Sequence, residues 1–187
     1  MKDIFHEIHI TVEHKESFEE DCKSICVKPI IIEMSSEIPN HSMTSSTLKN
    51  NSDKEAMDYA TGLKETLESK GYTVTRVKIE TVPWHEDASD PYLNQYFESH
   101  LAISGDISEL DLKRLSLHKS RNLLKKESGT VQMFTYRRRN INNVTFNSLV
   151  DQLVETLESL NVTVIKVIRE FAIYDSNESL DSKWLAL

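Results

Sequence analysis

Two short segments carry the residues best suited to chemistry. Glu7-Ile8-His9-Ile10 and Glu98-Ser99-His100-Leu101 each place a carboxylate two residues before an imidazole, and the histidines stand 91 positions apart, at 9 and 100. On a strand, alternate residues share a face, so each Glu and His would lie side by side with apolar neighbours turned away. An imidazole beside a carboxylate can act as general acid or base near neutral pH, and two such pairs are also a ligand set for a divalent metal. A lone strand histidine is more often a hydrogen-bonded structural residue. A polar pair kept on the same strand of two repeated units, however, has no packing reason to persist.

The repeat extends beyond these pairs. Glu65-Thr66-Leu67-Glu68-Ser69 returns as Glu155-Thr156-Leu157-Glu158-Ser159, and Val74, Val77 and Glu80 return as Val164, Val167 and Glu170. In the first copy, residues 5–13 alternate as a half-buried strand, and 17–26 suits a helix opened by a Ser17/Glu20 capping box. Residues 28–34 form a strand with Pro29 at its start, 35–40 a loop and 41–47 a weak strand. The stripe Ala56, Tyr59, Ala60, Leu63, Leu67 predicts a helix over 53–70 stopped by Gly71, and 72–82 is a strand. The second copy runs as strand 96–103, helix 108–117, a poor strand at 118–125, strand 131–138, helix 145–160 and strand 162–173.

This order predicts an α+β protein, a tandem duplication of a ferredoxin-like βαββαβ lobe with pseudo-twofold symmetry. The domains would be 1–80 and 96–173, joined by a linker at 81–95 holding Pro83, Trp84 and Pro91. A tail at 174–187 would be anchored by Trp184 and Leu185. Helices would cover one face of each sheet. The open polar faces, with Glu7, His9 and Thr11 beside Lys78 and Glu80, and Glu98 and His100 beside Glu170, would meet in a shared cleft.

The segments His9-Ile10-Thr11-Val12 and His100-Leu101-Ala102-Ile103 resemble the paired His-x-Thr/Ser-x(apolar) motifs of the two-histidine phosphoesterase superfamily, with Ala102 in place of the second hydroxyl. The resemblance implies metal-free hydrolysis of a phosphodiester or cyclic phosphate in a cleft between two lobes. His9 and His100 would then be the acid/base pair and Thr11 a further catalytic residue. A phosphate would need cations, and Lys78, Arg121 and Arg137 are the candidate substrate contacts, since a guanidinium presents a bidentate fork to an oxyanion.

Two rival readings use the same residues. Glu7, His9, Glu98 and His100 could ligate one divalent zinc, iron or manganese ion, which is the alternative to a cofactor-free site. Alternatively, the cleft belongs to a non-catalytic module that recognises a small phosphorylated or anionic molecule.

Several classes drop out. With 22 Lys+Arg against 30 Asp+Glu the net charge is −8, which disfavours general nucleic-acid binding. Only four glycines are present, and no phosphate-cradling glycine motif occurs. The segment Met1 to Glu7 has no apolar stretch, no run approaches a bilayer span, and Cys22 and Cys26 are too few for a structural zinc site, so a cytoplasmic protein with reduced cysteines is expected.

Overall fold

The computed structural model describes residues 3–33, 40–108, 110–124 and 131–181. The elements run β1 (Phe5–Val12), α1 (Phe18–Ser24), β2 (Lys28–Glu33), β3 (His41–Lys49), α2 (Asp53–Ser69) and β4 (Val74–Thr81). They continue as β5 (Tyr96–Ser104), β6 (His118–Asn122), β7 (Gln132–Arg138), α3 (Asn143–Ser159) and β8 (Thr163–Asp175). Short 3₁₀ turns sit at Glu86–Ser89 and Glu178–Asp181.

The strands form one closed antiparallel barrel in the order β1-β3-β2-β6-β7-β5-β8-β4. This corrects the expected tandem ferredoxin-like duplication, in which two sheets would each keep a free face and free edges. Instead β4 pairs with β8, from Lys78↔Asp175 to Thr81↔Phe171, and β2 pairs with β6 through Ile32↔Asn122 and Glu33↔Arg121. The physical reason is that a four-stranded sheet leaves two rows of unpaired backbone groups, and ring closure satisfies them while enclosing the polar face.

Outside the ring lie two apolar layers. Ala56, Ala60, Leu63 and Leu67 of α2 pack with Ile8, Ile10 and Ile79, while Phe146, Val150, Leu153 and Leu157 of α3 pack with Phe97, Leu101, Ile103 and Phe171. Each such side chain contributes roughly 1.5–3 kcal/mol on full burial. The helices begin where caps allow. Ser52 and Glu55 form a reciprocal capping box on α2, and the Asn142 side chain accepts from Thr145 N–H on α3.

Two local expectations are also corrected. Ser17 makes no side-chain cap bond to α1; its hydroxyl donates to Asp21 instead. The helix expected over 108–117 is replaced, among the described residues, by turns in which Leu117 N–H reaches Leu112 O and Ser116 takes φ 54°. Leu110, Leu112, Leu115 and Leu117 are spaced by two and three, which makes no helical stripe. The proposed anchors Trp184 and Leu185 and most of the loop at 35–40 lie outside the described residues. Among the described residues, no helix is long and apolar enough to cross a membrane.

Candidate functional site inside the barrel

Strand alternation turns Glu7, His9 and Thr11 of β1 inward, with Arg76, Lys78 and Glu80 of β4 as their register partners: Glu7↔Glu80, His9↔Lys78 and Thr11↔Arg76. Across the ring, Glu98 and His100 of β5 stand opposite Arg137 and Thr135 of β7, and Glu98 also opposes Glu170 of β8. The barrel interior is therefore charged, the reverse of an apolar core.

Its base is dry. Arg76 donates from Nε and Nη2 to Asp175 at 2.9 and 2.5 Å, from Nη1 to Asp181 at 3.1 Å, and from Nη2 to the Tyr96 hydroxyl at 3.1 Å. Arg137 donates to Glu98 and Asp181, each at 2.6 Å, and its guanidinium lies 4.3 Å from the Tyr96 ring centroid. Asp181 reaches in from the 3₁₀ turn after β8, so the end of the described chain plugs this side. Burial disfavours the charged form of Arg76 and Arg137, but their carboxylate partners outweigh it and keep both firmly protonated.

Above this layer, Lys78 Nζ sits 2.6 Å from both Glu80 Oε1 and Glu98 Oε2. Burial would raise the Glu98 carboxyl, yet Arg137 and Lys78 hold it well below the usual carboxylate range. Burial likewise works against the ammonium, and Glu80 and Glu98 together drive it well above its ordinary value.

The two histidines complete the layer on the side that solvent reaches. His9 Nδ1 donates to Thr44 O at 3.1 Å, and its Nε2 lies 3.3 Å from Glu80 and 3.5 Å from Glu7. Every partner of the ring is an acceptor, an environment that favours the doubly protonated imidazolium. Burial pulls its pKa down, and Glu80 and Glu7 more than reverse this. His100 Nδ1 contacts Thr135 Oγ1 at 3.0 Å, and its Nε2 lies 3.2 Å from Glu170 and 3.8 Å from Glu98. Here burial is again outweighed, chiefly by Glu170, and the pKa is pushed up to about 9. Side-chain exposure separates the levels: 34% for Glu7 and 31% for His100, against 3% for Glu80 and Glu98.

The structure thus brings Glu7, His9, Lys78, Glu98, His100 and Arg137 into one interior, with Thr11 buried at the level of Arg76. It does not bring Arg121 there. That residue points out of the barrel and pairs with Glu33 at 3.1 Å across the β2·β6 seam. The hydrolase and phosphoesterase reading is corrected along with the fold. It required imidazoles facing a cleft between two lobes, whereas here the ring is closed and each Nε2 is turned onto carboxylates.

Inside the barrel, the metal-ligand atoms that converge within 4.8 Å belong to Glu80, Glu98 and His100, while Glu7 and His9 form a separate pair linked through Glu80. The Lys78 ammonium already lies between Glu80 and Glu98, where it neutralises the charge a cation would use. Cys22 is buried and packs as a hydrophobe, its thiol pushed up to about 11 by burial.

Sequence reasoning named Glu80 and Glu170 on this face but missed Arg76, Tyr96, Asp175 and Asp181. The period-two run Arg76, Lys78, Glu80 was a usable signal for the first of these. Asp181 gave none.

The fold and site define an antiparallel barrel with a charged, histidine-lined interior. No protein-family model matches the sequence, and no curated protein matches it. Among solved structures, the small subunit of acetolactate synthase from Thermotoga maritima is similar at 12% identity, covering 94% of this chain and 96% of that one, with a TM-score of 0.30. A likeness of that size carries no functional argument.

Proposed function

We propose that the barrel is a non-catalytic binding module that takes a small anionic molecule, a carboxylate or phosphate, at its histidine mouth. The observation that carries this reading is the placement of two imidazolium rings, His9 and His100, at the solvent-reached side above Lys78, with partners that can be exchanged. A ligand oxyanion that displaces Glu7 or Glu170 from an imidazolium replaces one charge pair by another, and the displaced carboxylate regains water. Beneath them, Arg137 Nη1 is a buried donor with no hydrogen-bond partner among the described residues. Each histidine Nε2 faces carboxylates, so neither imidazole is free to act as a base. The free cysteines suit a reducing cytoplasm.

The test is titration of the full chain with inorganic phosphate and with succinate, followed by the imidazole nitrogen resonances of His9 and His100. Saturable shifts that are chelator-insensitive and vanish in a His9→Gln, His100→Gln double variant support the module. Unmoved resonances at millimolar ligand reject it.

A further inference from the structure

A second cluster lies on the opposite face of β1, outside the barrel. His6 points to the same side as Ile8 and Ile10, beneath α2, and is 1% exposed. Its Nε2 is 2.8 Å from Oδ1 of Asp53, the first residue of α2. His85, just before the 3₁₀ turn, brings its own Nε2 to 3.1 Å from the same oxygen. The three ligand atoms lie within 4.8 Å of one another, and the Asp53 side chain is 45% exposed, so the triangle is buried on its histidine sides and open to water on the third.

The rest of the barrel supplies an internal control. In strand register His6 pairs with Leu48 and Thr81, while Phe97 pairs with Arg138 and Phe171, each partner ninety positions on. Phe97 occupies the corresponding outward position under α3, stacked on Phe146 at 4.8 Å. Asn143 begins α3 where Asp53 begins α2. The architecture therefore accepts an aromatic hydrocarbon at this place. The chain instead keeps a buried imidazole whose Nδ1 has no hydrogen-bond partner among the described residues, which burial penalises. Packing does not explain that choice.

We propose that His6, Asp53 and His85 form a binding site for a divalent first-row transition metal, a two-histidine, one-carboxylate set with open positions on the solvent side. Donors sharing one ion at about 2.1 Å and near right angles sit about 3 Å apart, which is the separation each imidazole already shows from the Asp53 oxygen. Imidazole nitrogen with a single carboxylate suits zinc, iron or cobalt rather than calcium or magnesium. His85 Nδ1 now accepts from Asp87 N–H at 3.3 Å. With a metal on Nε2 that nitrogen carries the proton, and the long contact gives way.

The experiment is titration of the full chain with Co²⁺, read by its visible absorption bands, with Zn²⁺ read by thermal stabilisation. The wild type binds one equivalent of Co²⁺, and His85 Nδ1 becomes protonated in the nitrogen NMR spectrum of the Zn²⁺ form. His6→Phe, the solution the barrel uses at Phe97, folds without metal at least as stably as the wild type and loses both responses. Asp53→Asn, a change at a half-exposed site, weakens Co²⁺ about 100-fold or more and decides the matter should His6→Phe not fold. His100→Gln leaves binding intact. The absence of cobalt bands and of zinc stabilisation in the wild type overturns the proposal. So does Co²⁺ binding that survives Asp53→Asn, or that disappears only in His100→Gln.

Discussion

The two ends of the barrel interior use the same chemical parts to different effect. At the plugged end Arg76, Arg137, Asp175 and Asp181 bond to one another and to Tyr96 and Glu98, out of reach of water. At the mouth His9 and His100 face Glu7 and Glu170, pairs of the same sign and number of charges, but partly wet. Charge alone therefore does not mark a functional site. What distinguishes the mouth is that its partners can leave, because a carboxylate that returns to solvent loses little, whereas one stranded inside loses a great deal.

The sharpest break of this comparison is at the plug. Arg76→Ala leaves Asp175 buried without its cation and Asp181 with Arg137 alone, and should cost about 3–5 kcal/mol in denaturant unfolding; a loss below about 1 kcal/mol would make the two ends equivalent. Asp181→Ala removes the carboxylate bridging two guanidinium groups and should cost less, about 2–3 kcal/mol, since Asp175 and Glu98 remain.

The mouth responds to pH. The His100 pKa in the folded chain, about 9, lies above the ordinary 6.5, so its imidazolium stabilises the fold fully below about pH 6.5 and that contribution fades as pH rises through 9. It is worth about 1–3 kcal/mol. Stability profiles from pH 6 to 10 should slope downward for the wild type and flatten in His100→Gln; parallel profiles would disprove the assignment. The smallest effect on folding belongs to Glu7→Gln, less than about 1 kcal/mol. The same change removes the internal competitor at His9, so phosphate affinity should rise several-fold, and an unchanged or lower affinity would show that Glu7 is not the group displaced.

Much of the scaffold was legible in local pattern. The offset between Glu65-Thr66-Leu67-Glu68-Ser69 and Glu155-Thr156-Leu157-Glu158-Ser159 marks the ends of α2 and α3, and period-two alternation assigned the inward side of β1 and β5. Closure was not legible. Whether β4 finds β8 depends on sheet curvature and on edges more than eighty residues apart, and no window of sequence encodes that. The turns at 110–117 show the limit of composition, because a leucine-rich stretch lacking helical spacing folds otherwise. At the site, the Glu-x-His pairs announced themselves, while the Asp181 plug follows only from three-dimensional packing. His6 was hidden for a related reason: it falls on the apolar side of its strand, where a reading by alternation expects no chemistry.

The seam between β4 and β8 also sets a timetable. Arg76 and Asp175 are 99 residues apart, and β8 is the last strand among the described residues, so the ring shuts only once residues 163–175 are available. Contacts of such sequence separation slow folding, because the entropy of joining distant segments is spent before their pairing returns anything. On a ribosome, β1 and β4 would emerge and wait. Until residues 163–175 are released, β4 keeps a bare edge and Arg76 lacks Asp175, so closure of this barrel waits on β8.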